Sequence, residues 1–190
     1  MEEIALGARL AREALISHRD EPTTIAFAAH ALAWLGRDFD TALAAMERAI
    51  RLNPNSANIV TRSAWLRTWV LDPDPAISEF SRAIRLSPVD PEIGFSLGGL
   101  AYAFLMKSEH ETALEYARRS AREMPRWLPA WTAVAVTAIR NDRLQEAQDA
   151  ARRILQLSPS YTLASRINVF RDIWFHEMMA DALRKAGLPE

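Results

Sequence analysis

The 190-residue sequence contains no cysteine. This absence excludes disulfide bonds, thiolate zinc sites and thiol nucleophiles, and it suits a reducing compartment, so we expect a cytoplasmic protein. Long apolar runs are missing as well, because the longest near-apolar stretches, 25–35 and 128–139, are shorter than the roughly 20 residues that a membrane helix requires. Two glutamates follow Met1 where a signal peptide would carry basic residues, so we predict neither secretion nor a membrane partner.

An excess of either charge is also absent, since 23 lysines and arginines stand against 24 aspartates and glutamates, for a formal net charge of −1. No bulk field therefore attracts a nucleic acid, and we expect none as a partner. Arginines do cluster at 118–122 and 152–153, but acidic residues such as Glu115 and Asp149 lie near them. We interpret both clusters as solvated helix faces rather than as a nucleic-acid-binding stripe.

Sequence patterns that carry catalysis or hold cofactors are missing. The four histidines are scattered, and the HEMMA stretch that begins at His176 lacks the second histidine of a zinc-protease helix. Neither a GxxxxGK phosphate loop nor a GxSxG nucleophile elbow occurs. Asp72 and Asp74 are paired carboxylates, but the prolines that follow each of them favour a turn. We therefore predict a protein that is not an enzyme and has no catalytic, cofactor-binding or metal-binding residues.

What the sequence does contain is a repeat. The stretch DFDTALAAMERAIRLNPNSA (38–57) is echoed at 74–90, 110–125 and 143–159. Matching residues lie 34 positions apart in five pairs: Ala42 and Ala76, Ala49 and Ala83, Pro54 and Pro88, Ala113 and Ala147, Pro125 and Pro159. Only the step from Pro88 to Pro125 differs, at 37 positions. Two helices and a proline-marked turn every 34 residues are typical of tetratricopeptide repeats (TPRs). The predicted fold class is therefore all-α, a TPR solenoid in which antiparallel helix pairs form a right-handed superhelix.

We predict that residues 1–190 form a single TPR domain. Its predicted parts are a half-repeat (2–22), four repeats (23–56, 57–90, 94–127 and 128–161) and C-terminal capping helices (162–190). In the first repeat the pattern predicts helices over 24–35 and 40–52, with Asp40 as N-cap. Further predictions are Pro75 at a first helical position, residues 91–93 as an extension of the next first helix, and a last pair of helices over 162–170 and 172–186.

Small residues mark the places where we expect helices to approach each other closely. The repeated alanines are predicted to be buried at these contacts, where a larger side chain would clash. The Gly98-Gly99 pair within a predicted helix indicates either another close contact, which we favour, or a bend.

The first helix of each repeat carries a row of aromatic residues. In TPR geometry this helix lines a concave groove, and the positions that point into the groove hold Phe27, Trp34, Asn58, Trp65, Trp69, Phe95, Tyr102 and Arg140. Tryptophan and tyrosine are enriched at binding hot spots, so this pattern predicts a groove that clasps a peptide or helix, with Trp65 and Trp69 as its main anchors. The alternative is that some of these rings pack inward or are covered by the ends of the chain. The groove positions of the first repeat lack the lysine and asparagine that carboxylate-clamp TPRs use there, so chaperone tails are not expected ligands.

Three stretches carry a narrower resemblance: AWLGRDFDTALAAMERAIRLNPNSA (33–57), AIRLSPVDPEIGFSLGGLAYAF (83–104) and FRDIWFHEMMADALRKAGLPE (170–190). Together they resemble the C-terminal TPR region of bacterial signalling proteins of the class III adenylate/guanylate cyclase type and of the winged-helix/TolB-like type. The family usually has proline after FRD, where this chain has Ile173. The resemblance implies a regulatory or assembly module of a cytoplasmic signalling protein, and it carries over no catalytic residue.

The leading hypothesis from sequence is a non-catalytic protein–protein interaction scaffold, the regulatory or assembly TPR region of a nucleotide-cyclase-like protein. Two alternatives remain open. The first alternative is a homodimerisation module that associates through residues 2–17 or 172–186. The second is a free-standing TPR adaptor.

Overall fold

The computed structural model describes residues 2–190, with Glu2 described by its backbone alone, and within this range it contains ten α-helices, one 3-10 turn and no β-strand. The α-helices are α1 (Glu2–Ser17), α2 (Pro22–Gly36), α3 (Phe39–Leu52), α4 (Ala57–Trp69), α5 (Pro73–Leu86), α6 (Ile93–Met106), α7 (His110–Glu123), α8 (Leu128–Arg140), α9 (Leu144–Leu157) and α10 (Ile173–Lys185). The 3-10 turn is Leu163–Ser165. The predicted all-α class is confirmed.

The helices form two compact units, of which unit 1 ends at Pro88 and unit 2 is Val89–Glu190. In unit 1, α2 packs against both α1 and α3, α4 packs on α2 and α3, and α5 pairs with α4. In unit 2, α6 pairs with α7, α8 packs on both of them and pairs with α9, and α10 lies mainly on α8. Each unit is therefore built from two consecutive helix pairs and one further helix, α1 in unit 1 and α10 in unit 2. That the whole chain forms a single domain stays a prediction.

The predicted helices of the first repeat agree with α2 and α3 to within two residues, but the predicted cap is wrong. The Asp38 carboxylate, not that of Asp40, accepts the backbone N–H of Thr41 and caps α3. Asp40 lies in the first turn, where its negative charge suits the positive end of the helix dipole. The position predicted for Pro75 is also wrong, because α5 already begins at Pro73. Pro75 is tolerated there since the first four N–H groups of a helix have no partner within it.

The three extra residues between the second and third repeats lie mostly in a link, not in a longer helix. The prediction that 91–93 extend the first helix is therefore wrong, because α6 begins only at Ile93. The Asp90 carboxylate accepts the N–H of Glu92, and its carbonyl accepts the N–H of Ile93, which closes a turn around Pro91. Proline also keeps the residue before it out of the helical region.

Each helix pair turns through one residue in the left-handed backbone region. These residues are Arg37 (φ 52°), Leu71 (φ 62°), Ser108 (φ 60°) and Asp142 (φ 57°). Their spacings of 34, 37 and 34 positions match those of the prolines. The turn between paired helices is therefore constant, and the three inserted residues fall outside it.

Close helix contacts occur where the small residues predicted them. All six repeated alanines, Ala42, Ala49, Ala76, Ala83, Ala113 and Ala147, are at most 2% exposed. At Gly98 a Cβ atom would lie 2.6 Å from the Trp127 ring and 3.0 Å from the Ser120 hydroxyl oxygen. The same hydroxyl donates to the Gly94 carbonyl over 2.7 Å. Gly98 therefore lies at a close contact between α6 and the start of the next pair.

The helix predicted over 162–170 does not form, and only the short 3-10 turn is present there. Thr162 and Ser165 cap this turn reciprocally through their side chains and backbone N–H groups. The N–H of Leu163 donates to the Pro189 carbonyl, a tie that a continuing helix would not make. The chain then runs irregularly to α10 and buries Phe170 on the way, which replaces the contacts that the helix would have made.

Candidate functional site

The first helices of unit 1 bring five of the eight predicted groove residues onto one face. On α2 and α4, residues three, four and seven positions apart share a helix face. We call this the α2–α4 face, and it consists of Phe27, His30, Trp34, Asn58, Arg62, Trp65 and Trp69. His30 and Arg62 also lie on this face, although neither was among the predicted groove residues.

Trp65 and Trp69 form the buried base of the α2–α4 face. They are 4% and 5% exposed, and their ring centroids lie 6.1 Å apart. Trp65 also meets the Phe80 ring edge-on at 5.7 Å, and Trp69 lies 4.5 Å from the His30 ring. The main anchors predicted from sequence therefore pack inward, as the alternative interpretation allowed. Their rings therefore offer little contact surface to a partner.

His30 acts as a neutral aromatic ring within this base. The pKa of His30 is lowered from 6.5 to about 3, mainly by burial and to a smaller extent by the positive charge of Arg62. The imidazole therefore carries no charge at neutral pH. It lies between Trp69 at 4.5 Å and Trp34 at 6.4 Å, and so joins the buried and exposed parts of the face.

Phe27 and Trp34 are the exposed rings, each 46% exposed. Trp34 rests against Trp69 with 6.3 Å between ring centroids. The Arg62 guanidinium lies 3.5 Å from the centroid of Phe27, and its Nε donates to the Asn58 side-chain oxygen over 3.0 Å. The face thus presents apolar ring surface beside a cation that is held in place.

The three predicted residues of unit 2 do not meet in an exposed patch. Phe95 is half-buried and lies 5.3 Å from the Trp127 ring, whereas Arg140 is exposed at the end of α8. Tyr102 is 5% exposed, its hydroxyl donates to the Pro129 carbonyl over 3.1 Å, and burial raises its pKa. Phe170, itself 3% exposed, covers the Tyr102 ring at 6.4 Å. The chain thus places its own aromatic residue on this first helix.

Neither a metal-binding cluster nor a membrane helix emerges from the part of the chain that the structure describes. Across residues 2–190, histidine, aspartate and glutamate side chains nowhere gather in a group of three that could hold a metal ion. Over the same range, every helix is too short or too polar to cross a membrane.

Comparison with solved structures identifies proteins that share this fold. Neither a protein-family model nor a curated protein matches the sequence. Among solved structures, PilW, a widely conserved type IV pilus biogenesis factor, superposes with a TM-score of 0.73 at 19% identity over 97% of this chain and 80% of that chain. TTC0263, a thermophilic TPR protein in Thermus thermophilus, gives 0.68 at 18% identity over 87% and 83%. The fold is that of TPR proteins. YrrB, described as a TPR protein with an unusual peptide-binding site, gives 0.57 at 16% identity over 94% and 91%.

Proposed function

We propose that this chain is a non-catalytic protein–protein interaction scaffold and that a partner segment binds on the α2–α4 face of unit 1. The observation that carries the proposal is the pair of half-exposed rings, Phe27 and Trp34. Trp34 rests on the buried Trp69 ring, and Phe27 lies beside the Arg62 guanidinium. Rigid aromatic rings bind at low entropic cost, and arginine beside them selects a carboxylate. The expected ligand places an apolar side chain on Trp34 and an acidic one on Arg62.

The cover over Tyr102 in unit 2 supports this mode of binding. There, Phe170 comes from a non-helical segment and lies on the first helix of a pair. An aromatic side chain of an extended partner would lie on Trp34 in the same manner. The description of YrrB as a peptide-binding TPR protein is consistent with this mode, although a shared fold alone does not assign a function.

The test is selection from a random peptide-display library, followed by fluorescence anisotropy with a peptide that the native protein selects. Trp34→Ala should weaken binding about thirtyfold, the loss of one hot-spot contact of about 2 kcal/mol. The matched control is Trp174→Ala, which removes another half-exposed tryptophan, on α10, and should leave the affinity unchanged. Equal affinity of native protein and Trp34→Ala would refute the assignment.

The finer proposal is that the scaffold is the regulatory or assembly region of a nucleotide-cyclase-type signalling protein. It rests on the sequence resemblance of 33–57, 83–104 and 170–190 alone. An immunoblot of source cells with an antibody to this region tests its first requirement, that the region is part of a longer protein. A band well above 21.4 kDa supports a module of a longer protein, and a band near 21.4 kDa favours a free-standing adaptor instead.

A homodimer through α1 is the second candidate, because this helix leaves large apolar side chains uncovered. These are Ile4, Leu6, Leu10 and Ile16. Beside Leu10, a groove of about 330 Å³ runs between α1 and α2 and is lined by Gly7, Ala11 and Ala14 on the α1 side. Leucine on one copy would fill the groove of the other in an isologous, antiparallel pair.

Sedimentation velocity at low and high micromolar concentration tests the dimer. Leu10→Glu should then give a monomer at both concentrations, whereas Val89→Glu, a change at an exposed residue in the link, should not alter the association. A native protein that is monomeric throughout excludes a homodimer. A dimer that persists in Leu10→Glu but dissociates in Trp174→Glu would place the contact on α10.

A further inference from the structure

A second cleft, in unit 2, shares no lining residue with the α2–α4 face. It has a volume of about 510 Å³ and is formed by α7, α8 and α9. This volume lies within the range of ordinary ligand sites, about 300–1,000 Å³. Its walls are rich in arginine: Arg118, Arg122, Arg152 and Arg153. Two carboxylates, Glu146 and Asp149, also line it, so four arginines against two acids leave a local charge of +2.

One wall of the cleft is fixed by an ion pair. Arg118 on α7 donates from Nε and Nη2 to the two carboxylate oxygens of Glu146 on α9, over 2.7 and 2.6 Å. These hydrogen bonds hold the pKa of the Glu146 carboxyl below its usual value, so the pair stays charged at neutral pH. The bidentate geometry ties α7 to α9 and sets the width of the cleft.

The floor of the cleft is an aromatic ring with a cation above it. Trp131 is half-buried, and its indole N–H donates to the Pro125 carbonyl over 3.0 Å, which fixes the ring. The Arg153 guanidinium lies 6.0 Å from the ring centroid and also donates to Gln156 over 3.1 Å. A ligand therefore meets an apolar surface and a charge that is already positioned.

The remaining arginines differ in how far their charge is satisfied within the chain. Arg152 is paired with Asp149. Arg122 is exposed in the last turn of α7, and within residues 2–190 the structure records no ion pair or hydrogen bond for its side chain. A carboxylate that enters the cleft can therefore bind Arg122 without displacing an internal partner.

We propose that this cleft binds an acidic segment of a partner protein, with carboxylates on Arg122 and Arg153 and an apolar side chain on Trp131. Charge complementarity favours this ligand, since the local charge of +2 lies on a chain whose net charge is −1. Glu146 and Asp149 interrupt the basic lining, which suits separate carboxylates better than a continuous phosphate backbone. The proposal goes beyond the α2–α4 face and shares no residue with it.

The probe is a fluorescein-labelled octapeptide of six glutamates around two central leucines, with binding followed by anisotropy on the full chain. Arg122→Gln should weaken binding about tenfold, the loss of one charge-assisted contact, and adding Arg153→Gln should weaken it further. The matched control is Arg85→Gln, because Arg85 is exposed in the last turn of α5, and α5, like α7, is the second helix of its pair. It should bind the peptide within about twofold of the native protein.

Three results would overturn the proposal: no binding of the octapeptide, an equal loss in Arg85→Gln and Arg122→Gln, or a single-stranded oligonucleotide that binds more tightly and responds to the same variants. Melting temperatures of the variants confirm folding, and Arg122→Gln is expected to leave the melting temperature unchanged because no internal contact is lost. Should Arg153→Gln fail to fold, Arg122→Gln and its control still decide the question. Failure of this proposal would leave the proposed function untouched, because binding at the α2–α4 face is tested with a different peptide and the Trp34→Ala variant.

Discussion

Replacing Gly7 or Gly98 by alanine creates an equally close contact, yet the two substitutions should change the free energy of unfolding in opposite directions. A Cβ atom at either position would lie 2.6 Å from its nearest neighbour. At Gly7 that neighbour is Cδ1 of Leu35, the tip of a flexible side chain, and the next atom is 3.9 Å away. At Gly98 it is the Trp127 ring, with the Ser120 hydroxyl oxygen at 3.0 Å. What differs is whether the neighbour can move.

The magnitudes follow from two terms. Replacing glycine by alanine inside a helix stabilises the helix by about 1 kcal/mol at both sites. At Gly7 the leucine can change rotamer, so Gly7→Ala should raise the free energy of unfolding by up to about 1 kcal/mol. At Gly98 the Trp127 ring packs against Phe95 and the Ser120 hydroxyl is bonded to the Gly94 carbonyl, so neither yields easily. Overpacking costs about 1–3 kcal/mol, which should leave Gly98→Ala about 1 kcal/mol less stable than the native protein.

Urea unfolding followed by far-ultraviolet circular dichroism measures both variants against the native protein. A double-mutant cycle with Trp127→Ala isolates the clash with the ring, because most of the cost of alanine at 98 should disappear once the ring is gone and only the 3.0 Å contact with the Ser120 hydroxyl remains. If Gly98→Ala proves as stable as Gly7→Ala, or if Trp127→Ala leaves the cost of Gly98→Ala unchanged, then the argument from neighbour mobility fails.

Three further predictions concern charge and backbone. Because the folded state lowers the pKa of His30 to about 3, unfolding gains a proton below the ordinary value of 6.5, so stability should fall by up to about 1.4 kcal/mol per pH unit on acidification. Urea midpoints at pH 7 and pH 5 should therefore move less in His30→Gln than in the native protein. Burial raises the pKa of Glu79 in the folded state, so the stability of the protein falls as pH rises from the unfolded pKa of this carboxyl through its folded pKa. Glu79→Gln should therefore raise the thermal midpoint at pH 7 but not at pH 4. Ser108 has φ 60°, where a side chain costs about 1–2 kcal/mol, so Ser108→Gly should stabilise the protein to urea by about 0.5–1 kcal/mol, whereas Ser160→Gly, in an exposed turn without positive φ, should destabilise it.

Sequence periodicity predicted the helices because the same small residues and prolines recur at one interval. It failed where two local signals competed. Asp38 and Asp40 are both good caps, and only the backbone decides which carboxylate reaches a free N–H. The left-handed turns were invisible, since arginine, leucine, serine and aspartate occupy positions that glycine or asparagine would have marked.

The candidate site was predicted in its helix positions but not in its depth. Spacing places Trp65 and Trp69 on the same face as Trp34, yet the first two are buried and the third is not. The buried rings are covered by other side chains, Trp65 by Phe80 on α5 and Trp69 by His30 on α2, and spacing along one helix does not reveal these contacts. Nothing local to Tyr102 reveals its cover, because Phe170 arrives from the distant C-terminal segment.

The fixed turns and the variable link also determine where this chain can be cut and rejoined. Every turn between paired helices has one residue with positive φ at the equivalent position. The six-residue link 87–92 holds most of the three inserted residues and leaves Val89 89% exposed. Recombination that exchanges whole pairs would join chains in such links and leave the contacts within each pair intact. The same place offers an engineer a site for a protease recognition sequence or an inserted domain. A helix pair, rather than a single helix, is therefore the natural unit of exchange in this protein.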